Sequence, residues 1–375
     1  MRRILNPFVL ILTIILAAGY SYLALRLFQS LPARLALVLP ILCIWIIPVF
    51  FWSRSKDTHT GRDDFVQGLA YMCMGWLNFL LFLTLFRDII WLLTVAFIPN
   101  TWAQWLIDPG SQIVVLGSFL ALGLGMLIAW RGPRVVEVTV PIQDLDPALE
   151  GYRIAQISDL HVSFMIRRRY VQSVVNKVNT LGADMVVLTG DIVDGSVARL
   201  KSYVEPLATL QPAAHRYFIL GNHEYYAGVR SWVDHFRSLG LTVLLNEYRT
   251  IHHKGSTLHL GGVVDPAGTA SGEGPKPENA LGPGGLRILL AHNPKLAPHA
   301  APLGFDLMLS GHTHAGQFYP WNIAVRLVHA PHVVGLSREG KMWVYVNPGT
   351  GSWGPPIRLG TQPELTVIHL VRAKA

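Results

Sequence analysis

Four apolar stretches in the first 134 residues constrain the folding of this chain more than any other feature. They run over residues 4–25, 35–52, 65–86 and 111–130, and each comes near the ~20 residues that a membrane-spanning helix needs. A backbone in lipid has no water to bond, so runs of this length read as helices that satisfy their own amides. The expectation is an all-α transmembrane region of four helices within residues 1–134. A cleaved signal peptide explains the first run less well. Arg2 and Arg3 do precede it, but the run exceeds the ~7 to 15 residues of a signal core, and further spans follow. Pro40 and Pro48 lie in the second run, where a membrane helix tolerates a kink once its neighbours satisfy the freed carbonyls. The chain is 51% hydrophobic and 14% charged, too apolar for one soluble domain, and the excess lies in these runs.

Basic residues beside the spans set an orientation. With the N-terminus inside, Arg2, Arg3, Arg54, Lys56, Arg62, Arg131 and Arg134 are cytoplasmic, against Arg26, Arg34 and Arg87 on the other side. This asymmetry predicts a cytoplasmic C-terminal domain. Arg87 and Asp88 interrupt the apolar pattern, and IIWLLTVAFI follows them. Ten residues are too few to span, so 87–107 reads as an interfacial or re-entrant piece with Trp91, Trp102 and Trp105 near the headgroups.

The net charge of +8 divides into +5 for residues 1–134 and +3 for the remainder. The larger share serves topology, and no basic stripe points to nucleic acid. The arginine run 167–169 reads as a solvated helix start, with contact to phosphate or anionic headgroups as the alternative. Cys43 and Cys73 both fall inside spans, so the region beyond has neither a disulfide framework nor a thiolate metal site.

After Arg134 the pattern changes to short strands alternating with helices. Strands are expected at 135–140, 153–158, 184–190, 215–220, 241–245, 249–253, 257–263, 287–291, 306–310, 342–346 and 364–370. Helices are expected at 168–181, 196–210 and 229–239, and the Gly- and Pro-rich stretch 265–285 reads as a loop. Five strand ends carry potential metal ligands: Asp159 with His161, Asp191, Asn222, His292, and His312 with His314. Ligands in such sheets collect at carboxyl ends of strands. Residues at i and i+2 share one side of an extended segment, so each close pair can reach a common centre. Nitrogen and oxygen donors without thiolate suit two divalent ions such as manganese, iron or zinc, and a close metal pair is a recurring device for attacking phosphorus. Gly190, Gly221 and Gly311 each precede a candidate ligand, as tight turns and close backbone approach require.

The segments SDLH (158–161), GDIVD (190–194), GNHE (221–224), His292 and GHTH (311–314) resemble the five ordered signatures of the calcineurin-like metallophosphoesterases. The resemblance covers residues 135–375. GHTHAGQ and the tail WGPPIRLG (353–360) are most similar to a bacterial branch that includes membrane-associated phosphoesterases and lipid A pathway pyrophosphatases. It implies an α/β (α+β) sandwich of two mixed sheets flanked by helices. It implies that Asp159, His161 and His314 hold one divalent ion, Asn222, His292 and His312 a second, and that Asp191 bridges them. It also implies that His223 steadies the transition state or protonates the leaving oxygen, with Asp194 as its orienting partner, and that Glu224 is a structural hydrogen-bonder. The activity implied is hydrolysis of a phosphoester or pyrophosphate bond, with a lipid-linked substrate among the candidates, at a bacterial cytoplasmic membrane.

Each of these residues has a plainer reading when taken alone. A single histidine is more often a satisfied core or surface residue than a ligand, and only the ordered set of seven outweighs that. For His215, His235, His252, His253, His259, His299, His329, His332 and His369 the plain reading is preferred, with His329 and His332 the two that could line a pocket. HEYYA (223–227) lacks the second histidine of a zincin helix. The competing function class is a membrane sensor or scaffold that uses the fold for binding. Its mark would be lost ligands, and none is lost. A transporter is disfavoured because the spans hold few ionisable residues away from their ends.

Overall fold

The computed structural model describes residues 7–28, 30–45 and 61–374. Arg2, Arg3, Pro48, Arg54 and Lys56, and the end of the second apolar run, lie outside the described residues. Two contact units emerge. One comprises residues up to Leu127 with Gly354–Ile357, and the other comprises Ile128–Trp353 and the chain from Arg358 onward.

The first unit is helical: α1 (Pro7–Leu27), α2 (Leu31–Trp45), α3 (Gly61–Thr94) and α4 (Asn100–Trp130). Helices α1, α3 and α4 are long and apolar enough to cross a membrane, and the described part of α2 is a shorter apolar helix containing Pro40. The stretch 87–107, expected as an interfacial or re-entrant piece, does not form a separate re-entrant element. Residues 87–94 are the last turns of α3, and residues 100–107 are the first turns of α4. Length explains the difference. At 1.5 Å per residue the 34 residues of α3 extend roughly 51 Å against a hydrocarbon core of about 30 Å, so charge at 87 and 88 falls near the end of what lipid must cover. The charge is also paired. Arg87 donates from Nε and Nη2 to Asp88 Oδ1 at 2.9 and 2.6 Å, and from Nη1 to Ser111 Oγ at 2.6 Å. Asp88 Oδ2 accepts from Tyr22 at 2.7 Å and from Arg26 Nε at 2.6 Å.

The second unit contains two six-stranded mixed sheets. The first has the order β1 (Arg134–Ile142), β12 (Glu364–Arg372), β2 (Arg153–Ile157), β3 (Met185–Thr189), β4 (Arg216–Ile219) and β5 (Thr242–Val243). The second has the order β10 (Gly335–Glu339), β11 (Met342–Val346), β9 (Leu307–Ser310), β8 (Leu286–Leu290), β7 (Ser256–Gly262) and β6 (Glu247–His253). Strands β2 to β5 run parallel to one another, as do β7, β8, β9 and β11. Parallel strands are buried on both faces, which is why MVVLT of β3 is an unbroken apolar run capped by Thr189.

Ile154, Met185, Val187 and Ile219 of the first sheet pack against Leu258, Leu260, Ile288 and Leu309 of the second. The opposite face of the first sheet packs on α5 (Arg168–Asn179), α6 (Val197–Val204) and α8 (Val229–Ser238), the last contributing the fully buried Trp232. The outer face of the second sheet packs on Ala297 and Ala300 of the short α9 (Ala297–Ala300). The result is the expected sandwich of two mixed sheets flanked by helices. The arginine run is a solvated helix start, with Arg167 donating to Phe164 O at 2.6 Å and Arg168 paired with Glu205. Four elements were not expected from sequence: β10, the short helices α7 (Asn222–Ala227) and α9, and the longer α10 (Trp321–His329).

One side chain fixes the parallel strand ends where ligands gather. Glu224, on the first turn of α7, is fully buried and accepts four backbone N–H bonds. They come from Gly221 and Asp191 to Oε2 at 2.7 and 3.0 Å, and from Ile192 and Val193 to Oε1 at 2.7 and 3.2 Å. The loops after β3 and β4 are therefore tied to a single carboxylate, as the structural assignment of Glu224 anticipated. Glu224→Ala should leave those amides unpaired. Thermal or urea unfolding of the full chain is expected to show a loss of about 3 kcal/mol or more, because each buried amide left without a partner costs ~1 to 3 kcal/mol and water replaces only part of the four bonds. A loss under about 1 kcal/mol would contradict this role.

Candidate metal centre

The loops that follow β2, β3, β4, β8 and β9 bring all seven candidate ligands together. Asp191 is central. Its Oδ1 accepts the His223 backbone N–H at 2.8 Å, and its Oδ2 lies 3.1 Å from His292 Nε2, 3.9 Å from His161 Nε2 and 4.0 Å from His223 Nε2. On one side, Asp159, His161 and His314 converge, with His314 Nε2 3.3 Å from Asp159 Oδ1 and 2.9 Å from His161 Nε2. On the other side are Asp191, His292 and His312, with His312 Nδ1 3.1 Å from Asn222 Oδ1. A third group, His161, Asp194 and His223, shares His161 with the first.

Hydrogen bonds on the far nitrogens decide what these rings present to the centre. His161 Nδ1 lies 2.7 Å from Asp194 Oδ1 and His292 Nδ1 lies 2.7 Å from the Thr189 carbonyl. Each partner is an acceptor, so each Nδ1 carries the proton and each Nε2 turns a lone pair inward. The inward lone pair of His292, on a buried atom with no hydrogen-bond partner, then faces a carboxylate oxygen. The inward lone pair of His161 faces the Nε2 of His314. Where two acceptors face each other in a buried site, as His292 Nε2 and Asp191 Oδ2 do, a cation must lie between them, and this donor set of imidazole, carboxylate and amide oxygen fits divalent metal.

The electrostatics call for positive charge here: burial would lower the His292 imidazole, but Asp191 and Asp159 outweigh burial and raise it well above its ordinary range, so a proton occupies the place a metal ion would take. Burial pushes the imidazoles of His312 and His314 down, to about 3 and about 4, which keeps their lone pairs free near neutral pH. Burial alone would raise the Asp191 and Asp159 carboxyls, but the surrounding histidines outweigh it and hold both well below the ordinary carboxylate range. Burial and the nearby Asp191 charge push Glu224 up to about 8, against the pull of its backbone donors.

Asp194 serves two rings at once. The same Oδ1 that takes the His161 bond lies 2.8 Å from His223 Nδ1, so the orienting partner expected for His223 also orients a candidate ligand. His223 is only partly exposed. Burial would lower its pKa, but the charges of Asp194 and Asp191 outweigh burial and carry it to about 9. The rings of Trp353 and Tyr226 lie 6.0 and 5.5 Å from it.

The backbone is strained where these side chains are presented. Asp159, His161, Asp191, His312 and His314 all have positive φ, between 51° and 74°. Non-glycine residues rarely adopt that region, and such conformations cluster at functional sites. Close approach explains two of the glycines. A Cβ on Gly311 would come within 2.1 Å of Asp159 Oδ2, and one on Gly221 within 2.2 Å of Asp191 Oδ1.

Two further residues reach this region. Arg358, fully buried, donates to the carbonyls of Pro348 at 2.8 Å, Gly351 at 2.5 Å and His314 at 3.2 Å, and so fixes the turn that carries His314. Its only sequence mark is its place in the WGPPIRLG tail. The His329 ring on α10 lies 5.5 Å from that of His312, so it does line the site. His332 does not. It bonds to Ser337 and Glu339, both at 2.8 Å.

Residues 152–316 match the family described as Calcineurin-like phosphoesterase. A Danio rerio protein named "Transmembrane protein with metallophosphoesterase domain" is 34% identical over 98% of this chain and 89% of its own length. A Bos taurus protein of the same name is 37% identical over 67% of this chain and 60% of its own. An "Uncharacterized metallophosphoesterase" of Helicobacter pylori is 34% identical over 70% of this chain and 71% of its own. With a matching sandwich, apolar spans and a buried nitrogen and oxygen donor set that calls for divalent metal, the chain belongs to the calcineurin-like phosphoesterase family and is a membrane-borne phosphoester hydrolase.

Proposed function

We propose that the chain hydrolyses a phosphoester or pyrophosphate bond with two divalent ions, on a substrate carried by lipid. The inward lone pair of His292 opposite Asp191 Oδ2, with Asp159, His161, His312 and His314 converging beside it, carries this reading. Asp159, His161 and His314 would hold one ion, Asn222, His292 and His312 the other, and Asp191 both. Manganese, iron or zinc suits these donors. When bound, such a pair supplies a nucleophile at neutral pH and neutralises charge on the phosphoryl oxygens.

The remaining steps belong to side chains. Asp194 accepts hydrogen bonds from Nδ1–H of both His161 and His223, which fixes both rings' orientation. His223, protonated near neutral pH, holds a proton on Nε2 for the leaving oxygen. The membrane region, residues 1–134, keeps the catalytic domain, residues 135–375, at a bilayer, which supports a lipid-borne substrate. The excess of basic residues flanking the spans supports a cytoplasmic placement of that domain.

Metal analysis of the purified full chain should find two ions per chain, and chelation should abolish turnover of an activated aryl phosphate until manganese, iron or zinc is restored. Asp191→Asn is expected to lower that turnover by a factor of about 10³ and to reduce metal content. Undiminished turnover in chelator would refute the two-ion reading.

His223 acts while protonated, so the rate should fall as pH rises through its pKa. Asp194→Asn removes a charge that raises this pKa. In addition to lowering the rate, it should therefore move the basic limb of the kcat/KM profile to lower pH, by about one unit or more. A limb that stays in place would show that another group sets it.

A further inference from the structure

The unexpected helix α10 is amphipathic in the reverse sense for a surface helix. At 100° per residue, Trp321, Ile323, Ala324, Leu327 and Val328 form one arc, and Asn322, Val325, Arg326 and His329 share the other side. A surface helix normally turns its apolar side inward. Here Asn322 is buried and His329 faces His312, while Trp321 is 51% exposed, Ile323 57%, Leu327 83% and Val328 60%. Tyr319 and Val334 extend the patch at 49% and 42% exposure. Across residues 319–334 the sole formal charge at neutral pH is Arg326.

Two facts on this unit say what covers the patch. Tyr319, Asn322, Arg326 and Val334 line one hollow together with Arg134. Arg134 follows Trp130, the last residue of an apolar helix long enough to cross a membrane, by only four positions. That length of chain reaches at most about 14 Å. Aromatic rings, branched aliphatics and arginines so close to a span have the chemistry of a helix lying in a bilayer interface, with rings and arginines at headgroup depth.

We propose that the outer face of α10 seats in the surface of the phospholipid bilayer that holds the apolar helices. His329, on the inner side of the same helix, lies against His312, so the seated helix forms a wall between the bilayer and the metal centre. Resting on the function proposed above, this makes the substrate a phosphoester whose apolar portion stays in the membrane while its phosphorus reaches the site.

The test uses the full chain in phospholipid vesicles containing a phospholipid with a photoreactive acyl chain, followed by peptide mapping. Label is expected on residues 319–334 as well as on the spanning helices. The double substitution Ile323→Asp with Leu327→Asp should remove it from 319–334. In the same variant, turnover of a water-soluble aryl phosphate should stay within about twofold of the original, while turnover of a phosphoester lipid in the vesicle falls at least about tenfold. Labelled spans with an unlabelled 319–334 would overturn the proposal, as would cross-links joining residues 319–334 of two chains, which would mean that a second copy covers the patch. Equal loss on both substrates would overturn the link to lipid. If the unsubstituted chain turns over neither substrate, the phosphoesterase reading fails while the label still decides whether α10 is seated.

Discussion

Four backbone amides converge on the carboxylate of Glu224, and the geometry of the metal centre follows from that convergence. The loops after β3 and β4 contribute Asp191, Asp194, Asn222 and His223. Both loops turn sharply, and neither can satisfy its N–H groups within its own sheet. A buried carboxylate that accepts all four removes the cost of leaving them unpaired and holds the two loops in one register. With that register fixed, Asp191 Oδ1 meets the His223 amide and Asp191 Oδ2 is left to face three imidazoles.

The same economy recurs around it. Asp194 serves a candidate ligand and the candidate proton donor through one oxygen, so a single carboxylate orients both rings. Arg358 gathers the carbonyls around His314, and Thr189 fixes His292 from the end of β3. Five candidate ligands are held at positive φ, a strained arrangement that persists because sheet packing and these bonds over-determine it. A centre so pre-arranged need not reorganise when charge develops on a phosphoryl group.

Much of this was legible beforehand. Buried parallel strands are short apolar runs closed by a polar turn, so RIAQI, MVVLT and LRILL declared themselves, and candidate ligands followed directly after them. Helix α10 was not legible. In WNIAVRLVH the apolar periodicity is present, but its nine residues, lying between Pro320 and Pro331, make a short signal, and sequence carries no sign of which side faces the protein. The continuation of α3 past Arg87 was missed because charge in an apolar run looks like an ending, and only the partners Arg26, Tyr22 and Ser111, drawn from two other helices, show how it is accommodated.

The sequence by itself determined the chemistry: which residues can bind metal, their order, and the strand ends that carry them. It did so because ligand type and strand periodicity are local properties. The tertiary structure alone decided that Asp194 reaches two histidines, that Arg358 and His329 join the site, and that α10 turns its apolar side outward. Those are distances between segments that lie tens to hundreds of residues apart, and only the packing of the two sheets brings them together.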